Sequence, residues 1–294
     1  MKKEEKIIYD NLSAIFKGAE GIYPRLAYQA HELILLKKAQ SAIDIYEASG
    51  ILQDAYESTK ELDTHTLFAY LRALSAVLLE DLSASDIHSQ ILSLFSDSEE
   101  LDARALGKVS YLRNKFTEKA FDKFAKHIDD ARTLYAGSFE DSCEDVYNGI
   151  CEYCILPSEN STDGRLSAFY KLIKKYDLHI IASTEVITDE ASTTLLLLSR
   201  NNDFSKYGEA SKGRMLEFEI GCDNSADISG VIEFVLGYGL KLIKILYSGT
   251  DNESLFTFLF SADSIPQKHI EYLSFCLSAL YPTFTVTGFY KHIN

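Results

Sequence analysis

The sequence predicts a multidomain protein of the α/β and α+β classes, with an all-helical N-terminal domain, one α/β lobe and a C-terminal α+β domain. Three observations support this prediction. Residues 1–105 carry apolar residues at helical spacing and show no strand pattern. Residues 106–205 alternate short apolar runs with helical segments, which is typical of a mainly parallel sheet. Residues 212–294 follow the order of a ferredoxin-like (βαββαβ) sandwich.

Composition limits the classes of function. The chain has 294 residues, 46% of them hydrophobic, so it can bury a large core. Its 44 acidic and 29 basic residues give a net charge of −15, which argues against nucleic acid or an anionic membrane as a partner. No apolar run approaches the roughly 20 residues needed to cross a bilayer. The N-terminus also lacks the apolar core of a signal peptide, so a cytoplasmic location is expected.

The N-terminal domain is predicted to contain four helices, with Gly50 as the C-cap of the second. Their approximate bounds are 7–16, 23–49, 63–78 and 83–95. A helix-rich dimerisation or partner-binding module is the default interpretation of this region.

The α/β lobe is predicted from five apolar runs and three amphipathic segments. Strands are expected at 109–112, 132–136, 151–156, 178–183 and 194–198, and helices at 117–127, 139–148 and 166–176. Pro157 should end the third strand, because proline lacks a backbone donor. Glu159, Asn160 and Ser161 would then lie on the loop past the carboxyl end of that strand, where open α/β sheets place their ligands.

The C-terminal domain is predicted to have strands at 214–220, 240–246, 255–260 and 284–287, with helices at 228–237 and 266–280. Its edge strands need partners, so we expect a homo-oligomer formed through this domain.

The chain has five cysteines, an odd number that does not suggest a disulfide framework. Cys151 and Cys154 form a C-x-x-C pair, which is compatible with redox chemistry or with half of a zinc site. The pair enters a predicted strand rather than a helix start, and no second ligand pair accompanies it. A buried structural role is therefore favoured, and no metal or cofactor is predicted.

Three motifs resemble the prephenate dehydratase family. They are Pro157-Ser-Glu-Asn-Ser161 followed by Gly164, Tyr111-Leu112 ahead of Phe116-Thr-Glu-Lys-Ala120, and Gly288-Phe289-Tyr290. The family has P-I-E-N-S..G at the first, and the last falls in a regulatory ACT domain. The resemblance covers roughly residues 107–294. It implies two α/β lobes around a cleft in which prephenate is dehydrated and decarboxylated, without a cofactor.

The sequence departs from the family in the part that carries the second lobe. Only the seven residues Val186–Ser192 separate Glu185 from Thr193, where the family's chain enters the second lobe and returns at Thr-Arg-Phe. A single crossover unit needs about a dozen residues or more, so no lobe fits there. The motif's Arg and Phe are Thr194 and Leu195, and Arg113-Asn114-Lys115 stands in place of the opening Gly-Pro-x-Gly turn.

The ACT-like segment also departs from the phenylalanine-binding pattern. Gly-Ala-Leu at the first helix becomes Ala226-Asp227-Ile228, and Glu-Ser-Arg-Pro becomes Leu246-Tyr-Ser-Gly249. The glycine that allows a ligand to approach closely is lost. We therefore do not expect phenylalanine at the usual place.

The preferred hypothesis is a non-catalytic, ligand-binding or regulatory relative of the enzyme, linked to aromatic amino-acid (phenylalanine) biosynthesis. The ligand would be a small polar or aromatic metabolite. The candidate residues that bind it are Glu159, Asn160, Ser161 and Thr193, with Arg113 or Lys115 as the cation beside Glu159. Thr193 is a catalytic candidate only if the protein is active.

Two alternatives stay open. The first is an active prephenate dehydratase, with an N-terminal domain that resembles chorismate mutase and offers Arg25, Lys37, Lys38 and Arg72 to a dicarboxylate. The second is an interaction scaffold that acts through the helical domain.

Overall fold

The computed structural model describes residues 45–59, 67–68, 70–72, 74–75, 103–162, 164–189, 191–201, 213–222, 225–247 and 254–294. The chain divides into two compact units. The helical unit comprises residues 1–92, 220–240 and 265–284, and the sheet unit comprises residues 93–219, 241–264 and 285–294. The domain boundaries drawn from the sequence stay a prediction.

The described helices and strands alternate along most of the chain. In chain order they are α1 (Ile45–Thr59), β1 (Lys108–Leu112), α2 (Lys115–Phe124, continued by a 3-10 turn at Ala125–His127), β2 (Arg132–Ala136), α3 (Phe139–Tyr147), β3 (Tyr153–Asn160), β4 (Gly164–Arg165), α4 (Ser167–Lys175), β5 (His179–Ile187), β6 (Ser192–Ser199), β7 (Arg214–Gly221), α5 (Ser225–Gly237), β8 (Lys241–Tyr247), β9 (Leu255–Ser261), α6 (Gln267–Leu280) and β10 (Thr285–Ile293).

In the helical unit, residues from the N-terminal region pack on α5 and α6. The side-chain amide of Gln53 donates to the carbonyl of Ala279 at 2.8 Å. The rings of Phe68 and Phe234 lie 5.4 Å apart. Described residues 67–68, 70–72 and 74–75 are helical, as the third predicted helix requires. The predicted segments 7–16, 23–44 and 83–95 lie outside the described residues, as do Arg25, Lys37 and Lys38.

Gly50 is not a C-cap, and this expectation was wrong. Helix α1 continues through it to Thr59, with Ala48, Leu52 and Ala55 buried along one face. A glycine inside a helix costs roughly 0.5–1 kcal/mol relative to alanine. The burial of that apolar face outweighs this cost, so the helix does not end there.

The sheet unit contains a ten-stranded sheet whose order is β2-β1-β3-β6-β5-β10-β7-β9-β8, with the short β4 paired to β3. Strands β2, β1 and β3 are parallel, whereas β3, β6 and β5 are successively antiparallel. The sheet is therefore mixed, and the expectation of a mainly parallel sheet was wrong. The physical reason is the short connection between β5 and β6, since such a link joins only antiparallel neighbours.

β5 and β6 form an antiparallel hairpin. Next to these strands, the backbone N–H of Thr188 donates to the carbonyl of Ala191 at 2.9 Å. The strands on either side pair from Ile187↔Ser192 to His179↔Ser199. The chain thus returns directly from β5 to β6, with no lobe between them.

Successive leucines of β6 are buried on both faces of the sheet, as in strands covered on two sides. Leu195 and Leu197 join a core with Phe124 of α2. Leu196 and Leu198 join a second core with Ile173 of α4.

The elements after residue 213 come in the predicted order of strand, helix, strand, strand, helix and strand. Their strands continue the same sheet because β10 pairs in parallel with β5, up to Ile293↔Thr184. This pairing explains why β10 runs to Ile293, beyond the predicted end at 287. Strand β8 is the last strand of the path.

Candidate functional site

One edge of the sheet gathers the polar residues singled out from the sequence. Strands β1, β3 and β5 point the same way and end at this edge, while the antiparallel β6 begins there. We call it the site edge. The residue order also predicts that Thr193 shares a carboxyl strand end with Glu159–Ser161. That prediction was wrong, because Thr193 lies near the start of β6.

The segment Pro157–Ser161, which we call the signature segment, lies in a strand except for Ser161, which is in the turn that follows. β3 continues through Pro157 to Asn160, so the expected strand end at Pro157 was wrong. Pairing with β1 stops at Cys154, and the register with β6 shifts between Pro157 and Glu159. A strand tolerates proline at such unpaired or bulged positions.

Glu159 has a cationic partner that the sequence did not indicate. The Nζ atom of Lys244, on β8, lies 2.7 Å and 2.5 Å from the two carboxylate oxygens of Glu159. Both side chains are partly exposed, at 33% for Lys244 and 39% for Glu159. The two residues are 85 positions apart, so only the tertiary fold brings them together.

Arg113 and Lys115, the cations expected beside Glu159, have other neighbours. The Nε of Arg113 lies 2.8 Å from the carboxylate of Glu118, and its guanidinium sits 5.0 Å from the centroid of the Tyr135 ring. Lys115 lies over the ring of Phe116 at 5.3 Å. Their place beside Glu159 is taken by Lys244.

Asn160, Ser161 and Thr193 are brought together, and they bond to local backbone groups. Asn160 Oδ1 accepts from the N–H of Thr162 at 3.0 Å, which is an Asx-type turn. Ser161 Oγ accepts from the N–H of Ser192 at 3.1 Å. Thr193 pairs directly with Asn160 across the strands and is 7% exposed. These contacts support the turn between β3 and β4 and its link to β6.

The family's opening glycine turn is replaced by a helix cap. Asn114 Oδ1 accepts from the backbone N–H groups of Phe116 and Thr117, and Thr117 Oγ1 accepts from the N–H of Asn114 at 3.1 Å. This reciprocal capping box fixes the start of α2.

The cysteine pair lies in the core. Cys143, Cys151 and Cys154 are buried and are not in disulfides. Burial raises the pKa of the Cys151 thiol to about 11, and it raises the pKa of the Cys154 thiol well above its usual range. Protonated thiols are poor nucleophiles and poor metal ligands, so both redox and zinc roles are disfavoured. Within the described residues no cluster of His, Cys, Asp or Glu is arranged to hold a metal ion.

A buried charged cluster on β7 was missed. Glu217 is 3% exposed, and the hydroxyl of Tyr290 donates to its Oε2 at 3.0 Å. Glu219 lies 2.5 Å from the Nζ of Lys174. Arg165 stacks over the Tyr170 ring at 3.9 Å. The available signal was the presence of two glutamates between apolar residues of the strand.

Burial raises the pKa of the Glu217 carboxyl, and hydrogen bonds from Tyr290 and Tyr170 with the charge of Arg165 offset part of that rise. A carboxyl whose folded pKa is raised stabilises the fold below its unfolded pKa of about 4.3, and this contribution is lost as pH rises through the folded pKa. We expect Glu217→Gln to remove that dependence. The difference in the free energy of unfolding, variant minus wild type, should thus increase from acid to neutral pH.

Urea unfolding followed across this pH range measures the difference. The exposed Asp189→Asn is the matched control, because it also removes one carboxylate. A difference between Glu217→Gln and wild type that stays flat with pH would contradict the assignment.

A cavity of about 370 Å³ opens at the site edge between α2 and the end of β5. We call it the α2–β5 cavity. Its lining residues are Lys119, Asp122, Lys123, Glu185, Val186 and Ile187. No local motif in the sequence marks this cavity, because Lys123 and Glu185 are 62 positions apart and meet only in the folded chain.

Comparison with known proteins agrees with this architecture. Residues 112–202 match the family model described as prephenate dehydratase. Over these residues the chain is similar to the prephenate dehydratase family. A search of curated protein sequences found no match.

Two solved prephenate dehydratases share the fold at low identity, and a third solved structure is less similar. The prephenate dehydratase of Streptococcus mutans is 15% identical with a TM-score of 0.53, over 64% of this chain and 99% of that chain. The enzyme of Arthrobacter aurescens in complex with L-Phe is 14% identical with a TM-score of 0.50, over 63% and 90%. GqqA, described as a novel type of quorum quenching acylase, is 15% identical with a TM-score of 0.46, over 63% and 94%. At these identities the likeness concerns the fold alone.

The prephenate-dehydratase-like domain occupies a mixed sheet that continues into the C-terminal strands. Of the helices that the structure describes, none has the length and apolar character needed to cross a membrane.

Proposed function

We propose that this protein is a one-lobed relative of prephenate dehydratase that binds a small polar or aromatic metabolite and does not dehydrate prephenate. Its role would be regulatory and linked to phenylalanine biosynthesis. The observation that carries the proposal is the β5–β6 hairpin. Its short connection, between Ile187 and Ser192, stands where the resemblance implies a second lobe, and that lobe would complete a closed cleft.

The charges around Thr194 support the same conclusion. Thr194 stands where the family has arginine, a bidentate partner for a substrate carboxylate. Its direct cross-strand neighbours are Glu159 on one side and Glu185 on the other. Adjacent strands lie about 4.8 Å apart, and paired residues share a face, so two carboxylates flank this position. Lys244 compensates the charge of Glu159, but Glu185 makes no ion pair with a described residue. A negative charge therefore remains beside Thr194 and disfavours a dianionic substrate such as prephenate.

A dehydration also needs water to be excluded from the reacting groups. Glu185 and Ile187 at the site edge are exposed, and Ile187 is 69% exposed. The hydroxyl of Thr193, the catalytic candidate, is on a buried residue whose strand partner is Asn160. This arrangement supports structural roles for the retained motif, while Glu159, Asn160, Ser161 and Thr193 stay the sequence-predicted ligand site.

An active prephenate dehydratase is the second candidate function. The observation that favours it is the assembly of Glu159, Asn160 and Thr193 on paired strands, with Lys244 supplying a cation next to Glu159. A partner subunit would then have to complete the cleft.

We also propose that the protein forms a homo-oligomer through its C-terminal ACT-like region. Strand β8 ends the path of the sheet, and Leu242, Ile243 and Tyr247 on it are exposed. Unpaired edges of this kind favour association with another strand.

Phenylalanine is expected neither to bind tightly nor to change the oligomeric state. At the first helix of the ACT-like region, Asp227 introduces a carboxylate where the family's pattern has small and apolar residues. Calorimetry and sedimentation velocity test this expectation. Micromolar binding together with a changed sedimentation coefficient would refute it.

A thermal-shift screen of shikimate-pathway metabolites and amino acids tests the ligand-binding role. The proposal expects at least one compound to raise the melting temperature of the wild-type protein. If no compound stabilises the protein, the ligand-binding role is wrong.

A further inference from the structure

The α2–β5 cavity combines charges of both signs at the site edge. Three of its lining residues come from α2, and three come from the end of β5. Its volume of about 370 Å³ lies within the range of small-molecule pockets. A volume of about 30 Å³ per liquid water makes this room for a ligand of roughly a dozen heavy atoms.

Two lysines provide the cationic side. Lys119 and Lys123 are one helical turn apart, so their side chains leave α2 on the same face. The Nζ of Lys123 donates to the backbone carbonyl of Glu185 at 2.8 Å, which holds this ammonium at the end of β5. An ammonium has three donors, so Lys123 keeps others for a ligand.

Two carboxylates also line the cavity, Asp122 on α2 and Glu185 on β5. Both are exposed. In the part of the chain that the structure describes, neither carboxylate makes an ion pair or a hydrogen bond, and neither does the ammonium of Lys119. This contrasts with Glu159, whose carboxylate is already paired with Lys244.

The helix that carries these groups is firmly placed. The capping box of Asn114 and Thr117 fixes its start, and Ala120 and Phe124 are fully buried on its inner face. Charged residues on a rigid element hold their geometry better than residues on a loop.

We propose that the α2–β5 cavity binds a small monocarboxylate that also carries hydroxyl or ammonium groups. The carboxylate is held by Lys119 and Lys123, and the donor groups are held by Asp122 and Glu185. A ligand with only a carboxylate would make no contact with the two acidic residues, and a simple cation would make none with the two lysines. The inference rests on the proposed ligand-binding role and moves the ligand from the signature segment to this cavity.

The experiment is isothermal titration calorimetry of the full-length protein with two probes. Quinate is a polyhydroxylated carboxylate, and L-glutamine is a polar amino acid. The methyl ester of each probe lacks the carboxylate charge. Lys119→Met and Asp122→Asn remove one partner each. Lys126→Met and Asp129→Asn are the matched controls, because they make the same charge changes at exposed positions outside the cavity.

We expect at least one probe to bind and its methyl ester to bind at least about tenfold more weakly. Lys119→Met and Asp122→Asn should weaken binding by a similar factor, and the two controls should leave it unchanged. Which of the two probes binds shows whether the cavity prefers a hydroxy acid or an amino acid. Circular dichroism verifies that each variant is folded.

Three results would overturn the inference. The first is no binding of either probe, and the second is equal binding in the cavity variants and their controls. The third uses one further variant, Asn160→Ala: weakening in this variant alone would place the ligand on the signature segment. The second and third results leave the ligand-binding role intact. Enzyme-dependent formation of phenylpyruvate would instead refute the non-catalytic role, whatever the binding data show.

Discussion

Gly213→Ala is expected to lower the free energy of unfolding by about 2 kcal/mol or more. Gly213 precedes β7 with a φ of +84°, a conformation that L side chains rarely adopt. A Cβ atom there would lie 2.7 Å from the backbone carbonyl oxygen of His292. That oxygen belongs to β10, and the N–H of His292 donates to Gly213, so the backbone has little freedom to move away.

Gly149→Ala is the matched control. Gly149 also has a positive φ, of +68°, but a Cβ atom there would meet nothing within 4 Å. It should therefore show the conformational cost of about 1–2 kcal/mol without the steric contact. Urea unfolding of both variants measures the difference. If the two variants lose equal amounts of unfolding free energy, the contact with His292 does not constrain the fold.

Phe124→Ala is expected to cost about 3–5 kcal/mol, because it removes a fully buried ring and leaves a cavity. Phe124 closes α2 and packs into the core formed with Ile155, Leu195 and Leu197. The same contact places α2 against β5, so the variant should also lose binding in the α2–β5 cavity.

Chemical unfolding and calorimetry test the two effects. Lys126→Ala, an exposed position two residues further along, is the control and should change stability by no more than about 0.5 kcal/mol. A Phe124→Ala protein as stable as wild type would contradict the assignment of this core.

The elements of the fold were largely predictable, because their signals are local. The alternation of apolar runs and helical segments located β1, α2, β2 and α3 to within a few residues. The short interval between Glu185 and Thr193 is by itself enough to exclude a second lobe at that point of the chain. The relative direction of the strands was predicted incorrectly. The same short interval requires β5 and β6 to be antiparallel, and the expectation of a mainly parallel sheet did not take this into account.

The chemistry of the site was less predictable, because its partners are distant in sequence. The lysine that pairs with Glu159 comes from β8, and nothing around Lys244 marks it. The prediction that β3 ends at Pro157 failed because the effect of a proline on a strand depends on how the neighbouring strands pair with it. That pairing is a property of the tertiary fold. The buried Glu217 accepts a hydrogen bond at Oε2 from Tyr290 on β10, so the free-energy cost of burying it also depends on the complete sheet.

The rate of phenylpyruvate release from prephenate at neutral pH tests the central claim most directly. A two-lobed prephenate dehydratase serves as the positive control, and the Thr193→Ala variant reports whether any activity comes from the site edge. With one lobe and with Thr194 between two carboxylates, we predict a rate equal to that of prephenate in buffer alone, for wild type and variant alike. An enzyme-dependent rate that Thr193→Ala abolishes would contradict the account.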